Sequence, residues 1–264
     1  MPRLTILVLL AFALLGTTAA RAVERGAMPG PFADADAAAF RAVGRLELGQ
    51  GAFCTATLIA PQVVLTAGHC LLDPETGAPL DMGAVAFRAG LRDGRPAAYR
   101  AARRLVVHPF YRLGETDLAA LAFDLALVEL DAPIPPDLVA AIPLGQGPAR
   151  GARVGIVSYR IDRAERAGLQ GDCRVLARRA GAIVTDCGVE FGASGAPILA
   201  FDAAGAARLV SVVSAKANAR ARDVSIGTAL RAPVDALLAQ LRNGALPSET
   251  EATHAHLTAR FVRP

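Results

Sequence analysis

Four histidines, four cysteines and a serine set among small residues are the groups in this 264-residue chain with most chemistry to offer. The serine is Ser194, in Glu-Phe-Gly-Ala-Ser-Gly-Ala-Pro-Ile-Leu, residues 190–199. Small neighbours let a backbone turn tightly and let a second molecule approach it, which suits an exposed nucleophile and equally an ordinary turn. A serine nucleophile needs a base within hydrogen-bond reach, and the base needs an acid to orient it. His254 and His256 lie in a polar tail, and His108, in Val-Val-His-Pro-Phe-Tyr, reads as structural where a strand meets a proline turn. His69 remains, in Val-Val-Leu-Thr-Ala-Gly-His-Cys, where an apolar strand ends beside a cysteine and offers a rigid mount. For the acid, Asp124 opens the apolar run Asp-Leu-Ala-Leu-Val-Glu-Leu. A carboxylate there is costly to bury without a partner, which an imidazole N–H would supply. Asp117, in Glu-Thr-Asp-Leu-Ala-Ala-Leu, competes with it, with a less strand-like run behind.

These residues must be held by whatever the surrounding apolar runs build. From Phe40 the runs are short, closely spaced and separated by Gly, Pro and Asp turns: FRAVGRLEL, FCTATLIA, VVLTAG, AVAFRAG, AARRLVVHP and LALVEL. A Pro/Gly-rich connector spans 131–151. A second set follows: ARVGIVSYR, GDCRVLARR, GAIVTDC, GAPILAF, ARLVSVVSA and DVSIGTAL. Runs this short predict strands, and two similar halves of about six strands predict an all-β protein of two packed antiparallel barrels, over 40–130 and 152–231. Residues 232–243 break the pattern. Val234, Leu237, Leu238 and Leu241 have helical spacing, and Pro233 suits a first turn, so a C-terminal helix is expected. Residues 23–39 read as an irregular arm and 244–264 as a polar tail.

The N-terminus carries Arg3, an apolar stretch from Leu4 to Leu15 and small residues up to Ala22, the layout of a secretory signal peptide over 1–22. The stretch is shorter than the roughly 20 residues of a spanning helix, so the mature chain is expected to be secreted or periplasmic and free of the membrane. The formal charge of +4 becomes +2 once Arg3 and Arg21 are lost. So small a charge, with basic pairs such as Arg103-Arg104 and Arg178-Arg179 scattered along the chain, argues against nucleic acid as a partner. An even number of cysteines in an exported chain points to disulfides. Three pairings are possible. The local one joins Cys54 to Cys70 and Cys173 to Cys187, each closing a loop worth on the order of 3 kcal/mol. No Cys-x-x-Cys pair occurs to suggest zinc, and no metal or other cofactor is expected.

The order His69, Asp124, Ser194, carried by LTAGHC, DLALVEL and GASGAP, resembles the chymotrypsin or trypsin-like serine protease family from about Phe40 to Leu241. An α/β-hydrolase would place its serine first and want a glycine at Ala196. The spacing of Cys54 and Cys70 matches the family's disulfide beside the histidine. The resemblance implies that Ser194 attacks a peptide carbonyl, His69 takes its proton and Asp124 holds the imidazole. It further implies an oxyanion hole from the N–H groups of Gly192 and Ser194, a substrate-pairing strand at LVSVVSAK with its contact at Ser214, and a pocket with Gly188 at its base and Lys216 at its rim. A polypeptide substrate and a monomer are expected. The alternative is a catalytically inactive homologue acting as a protein-binding module, since fold alone does not imply activity.

Two departures stand out. Ala193 occupies the position where the animal digestive enzymes carry an aspartate that pairs with a freshly cut N-terminus, and no Arg-Ile-Val-Gly-Gly sequence precedes the first barrel. Both suggest activity without that ion pair, as in secreted bacterial members. At Gly188 no carboxylate supports a preference for basic side chains. Val189 and Val213 stand near where glutamate-specific relatives carry a threonine and a histidine. Lys216 could attract an acidic side chain.

Overall fold

The computed structural model describes residues 30–31, 38–219 and 222–243. The expected signal peptide, most of the arm, and the tail with His254 and His256 lie outside the described residues. Gly30–Pro31 forms a short strand, β1. The first barrel comprises β2 (Val43–Glu47), β3 (Phe53–Ala60), β4 (Val63–Thr66), β5 (Ala86–Ala89), β6 (Ala98–Val107) and β7 (Ala126–Leu130). They close in the order β2-β3-β4-β7-β6-β5, every pair antiparallel. Leu46, Leu58, Leu65, Phe87, Leu127 and Leu130 are fully buried within it. Each such side chain contributes about 1.5–3 kcal/mol by leaving water.

The second barrel comprises β8 (Arg153–Arg160), β9 (Arg163–Arg179), β10 (Ala182–Thr185), β11 (Pro197–Phe201), β12 (Ala207–Ala219) and β13 (Arg222–Ala229). Its strands run β9-β10-β13-β12-β11-β8, and pairing of β8 with β9 closes the ring. β9 starts at Arg163, earlier than its apolar pattern suggests, because Ile161 and Asp162 turn β8 back on itself and the charged residues that follow pair along it. The same part of β9 also takes β1 on its other edge, Gly30 opposite Leu169. The fold is thus all-β, two closed six-stranded antiparallel barrels with a C-terminal helix.

The described residues also include the α-helices α1 (Leu118–Leu121) and α2 (Arg231–Asn243) and two short 3-10 turns, Gly68–Leu71 and Met82–Ala84. α2 buries Val234, Leu237 and Leu241, and Arg104 of β6 donates to the Leu241 carbonyl. The helix that follows the second barrel therefore packs back on the first. One apolar cluster spans both barrels, with Val157, Tyr159, Leu199 and Val212 joining the residues of the first, and a second, including Val154, Ile156, Val175, Ile183 and Ile198, fills the second barrel. The cysteines take the local pairing, Cys54 with Cys70 and Cys173 with Cys187.

Candidate active site

His69 lies in a single 3-10 turn, Gly68–Leu71, that follows β4 directly. The disulfide from Cys70 to Cys54 pins that turn to β3. Asp124 lies between α1 and β7, with its side chain only 1% exposed. Oδ2 of this carboxylate accepts from His69 Nδ1 at 2.8 Å, and Oδ1 accepts from the His69 backbone N–H at 2.8 Å. Ser214 Oγ, from β12 of the second barrel, donates to Oδ2 as well. Three donors satisfy a charge that would otherwise be costly to bury. Gly68 makes the approach possible, since a Cβ there would come within 3.1 Å of Asp124 Oδ1.

The imidazole is 26% exposed, so it is held and still reachable. Its Nδ1 proton points at Asp124, which leaves the lone pair on Nε2. Burial works against the charged ring, but the hydrogen bond and the negative charge of Asp124 together outweigh it, and the His69 pKa lies above its ordinary 6.5.

Ser194 sits in the turn that leads into β11 and is half-buried. Gly192 (φ 91°) and Gly195 (φ 77°) both occupy the left-handed region that favours glycine. The first barrel presses against this turn. Gly195 lies over Thr66 Oγ1 and the Thr55 carbonyl, and a Cβ on it would sit 3.0 Å from the Ala67 nitrogen, two residues before His69. Thr55 N–H donates to the Ser194 carbonyl at 2.9 Å, and Thr55 Oγ1 donates to the Gly192 carbonyl at 2.8 Å. Among the described residues, the N–H groups of Gly192 and Ser194 donate to no backbone carbonyl.

Gly188 follows Cys187 and is half-buried, and a Cβ on it would meet open space. Lys216, opposite Ser225 of β13, holds its Nζ 3.0 Å from Glu190 and 4.5 Å over the Phe191 ring. Val189 and Val213 are both buried and apolar.

Asp117 has a different task. Its carboxylate accepts from the Ala119 and Ala120 N–H groups at 2.8 and 3.0 Å and caps α1. His108 is buried, stacked on Phe123 at 5.0 Å and close to Phe110, and burial lowers its pKa to about 4. Cys54, His69 and Cys70 bring three potential metal-ligand atoms within 4.8 Å of one another, but both sulfurs are bonded to each other and offer no thiolate. Two polar residues at the site escaped the sequence reading in these roles. The sequence places Ser214 on the strand expected to pair with substrate, and its hydroxyl in addition points at Asp124. Thr55 was passed over as part of an apolar strand.

A histidine held by a buried carboxylate at the edge of one closed barrel, and a serine on a glycine-flanked turn that this barrel presses against, fit the architecture of a serine protease. A family model described as Trypsin matches residues 32–234, and the chain belongs to that family. Scolexin B of Heliothis virescens is 33% identical over 127 residues, a stretch covering 42% of this chain. The chain spans about two-fifths of the length of that curated relative, 41%. Among solved structures, a thermostable serine protease AL20 from an extremophilic microorganism superposes with a TM-score of 0.64 at 19% identity, covering 78% of this chain and 100% of its own. A Glu endopeptidase in complex with MPD gives 0.63 at 19%, covering 81% and 95%. Protease Anisep from Arthrobacter nicotinovorans gives 0.61 at 16%, covering 76% and 94%. At these identities the structural likeness establishes the fold.

Proposed function

We propose that the protein is a secreted serine endopeptidase that hydrolyses peptide bonds through His69, Asp124 and Ser194 and an acyl-enzyme intermediate. The observation that carries this reading is the two-point hold of Asp124 on His69, backed by Ser214 across the barrel junction. In the proposed reaction, His69 Nε2 takes the Ser194 Oγ proton as the oxygen adds to the carbonyl carbon, and later gives it to the leaving amine. Asp124 keeps the imidazole in the tautomer that accepts at Nε2 and stabilises the imidazolium that forms. The free N–H groups of Gly192 and Ser194 would receive the oxyanion, where one donor is typically worth about 2.7–4 kcal/mol in the barrier. Water then attacks the acyl carbon with His69 as base again. The two disulfides support an oxidising compartment, as does the signal-like layout of residues 1–22. Among the described residues no helix is long and apolar enough to cross a membrane.

For specificity, the space beside Gly188 supports a pocket without charge at its base. Lys216 at its rim, with an ammonium already shared with Glu190, would draw an acidic side chain by exchange of carboxylates.

The test is labelling of the secreted chain by a serine-directed fluorophosphonate, with Ser194→Ala as control. Labelling of the parent and not of the variant is the expected result. Persistent labelling in the variant would overturn the assignment of Ser194, and no labelling of either would favour a binding module.

A further inference from the structure

We infer that Thr55 is the positioning residue that sets the oxyanion-binding turn, holding by a buried hydroxyl and an amide what the side chain at 193 does not. The inference rests on the serine-protease reading and concerns how the turn around Ser194 keeps one conformation. Ala193 is buried and apolar, so its side chain can form neither an ion pair nor a hydrogen bond. Gly192, without a Cβ, can rotate its peptide at little cost, and such a rotation would turn the adjoining N–H groups away from a bound carbonyl.

The peptide unit between Gly192 and Ala193 is pinned at both ends. Its carbonyl accepts from Thr55 Oγ1 at 2.8 Å, and its N–H donates to the Glu190 carbonyl at 2.9 Å. The unit between Ser194 and Gly195 is pinned likewise. Its carbonyl accepts from the Thr55 N–H at 2.9 Å, and its N–H donates to the Val213 carbonyl at 2.8 Å. Thr55 therefore supplies the carbonyl-side anchor of both units. The unit between them, which carries the Ser194 N–H, has its own carbonyl held by the Ala196 N–H at 2.9 Å and is flanked by the two units that Thr55 anchors.

The Thr55 hydroxyl is itself engaged. The Tyr159 N–H donates to Thr55 Oγ1 at 3.0 Å, and of the two carbonyls in reach of the hydroxyl proton, that of Gly192 at 2.8 Å lies closer than that of Tyr159 at 3.5 Å. Thr66 Oγ1 donates to the Thr55 carbonyl at 3.0 Å and fixes the strand beneath. Thr55 is fully buried, so water does not compete for these bonds. On the far side of the turn the Phe53 ring lies against Gly192, with Cε2 2.6 Å from where a Cβ would stand. Phe53 is backed in turn by the Arg45 guanidinium, 4.8 Å from its ring centre. No step of this arrangement calls on a cut N-terminus.

The test compares the parent with Thr55→Val, which keeps shape and backbone amide and removes the hydroxyl, and with Thr55→Ser, which restores it. Two quantities are measured per active-site-titrated enzyme: the rate constant for fluorophosphonate labelling, and the affinities for a peptide aldehyde and the matching peptide alcohol. The aldehyde forms an oxyanion on Ser194 and the alcohol does not. The expected result is a loss of about 10²-fold in labelling rate and in aldehyde affinity for Thr55→Val, the cost typical of a small misplacement. Alcohol affinity should hold, and Thr55→Ser should return close to the parent. A Thr55→Val enzyme that labels at the parent rate, or that loses aldehyde and alcohol affinity equally, overturns the inference. Thr55→Ala carries the same comparison if the valine variant does not fold. A parent that does not label at all removes the protease reading together with this one, whereas a labelled parent with an unaffected variant removes only the role of Thr55.

Discussion

Asp124 holds His69 through both carboxylate oxygens, one on the ring Nδ1 and the other on the backbone N–H of the same residue. A single hydrogen bond would leave the imidazole free to swing about its Cα. Two bonds from one buried group fix both the ring and the turn that carries it, and they fix the proton on Nδ1.

The pH profile of kcat/KM should reflect this hold. His69 works as a base only when neutral, so activity rises with pH through its pKa, which lies above 6.5. Asp124→Asn removes the charge that raises this pKa and leaves the burial that lowers it. The acid limb should therefore move to lower pH, while the plateau falls by up to about 10⁴-fold as the proton is no longer kept on Nδ1. A limb that stays in place in the variant would show that Asp124 does not set the His69 charge.

His108 should govern a different pH dependence, that of stability. Its pKa is about 4 in the folded protein, against an ordinary 6.5. The unfolded chain therefore takes up the proton first. The contribution of neutral His108 is whole above pH 6.5 and is lost progressively as pH falls toward 4, by up to about 3 kcal/mol. His108→Phe keeps the stack on Phe123 and cannot titrate. Its Tm should fall less steeply than the parent's between pH 6.5 and 4, and equal slopes would exclude His108 as the titrating group.

Gly195→Ala should abolish labelling of Ser194. The new methyl would run into Thr66 Oγ1 and the Thr55 carbonyl at a residue whose φ is already 77°. Backbone atoms of β3 cannot yield without opening the first barrel. Gly171→Ala in β9, by contrast, meets open space and should leave both folding and labelling intact. A labelled Gly195→Ala enzyme would mean that the turn does not need this close approach.

Lys216→Glu tests the rim of the proposed pocket. The pair with Glu190 is about half exposed, so its loss should change stability by less than about 1 kcal/mol. The ratio of kcat/KM for substrates with an acidic against a neutral side chain before the scissile bond should fall about fivefold, the scale of one exposed charge contact. An unchanged ratio would remove Lys216 from substrate recognition.

Trimming of the N-terminal arm provides a further check on the turn around Ser194. With Ala193 in place of an acid, turnover should be equal before and after cleavage between residues 23 and 37. A requirement for a new N-terminus would restore the ion-pair mechanism that the sequence lacks.

Much of this architecture could be read from apolar runs and their punctuation. Most barrel strands fall on short apolar runs closed by Gly, Pro or Asp, as β3 is by Pro61, β5 by Gly90 and β7 by Asp131. The partnership of His69 with Asp124 was legible for a related reason: a carboxylate at the mouth of a buried strand must find a donor, and few imidazoles were available. What escaped has physical causes. The first half of β9 is rich in arginine and exposed on one edge, so no apolar pattern marks it. α1 is too short to show a period, and Asp117, its cap, therefore looked like a rival acid. Ser214 and Thr55 are ordinary strand residues by pattern. Their hydroxyls gain meaning only where the second barrel meets the first, a contact no local pattern encodes.

The residues that would act together are divided between the barrels, with His69 and Asp124 on one side of the connector and Ser194 and Ser214 on the other. Hydrolysis would thus report on assembly. Cut within 131–151, the chain should yield two inert fragments whose mixture regains activity at a rate set by their collision. Each half would then behave as a subunit of the other.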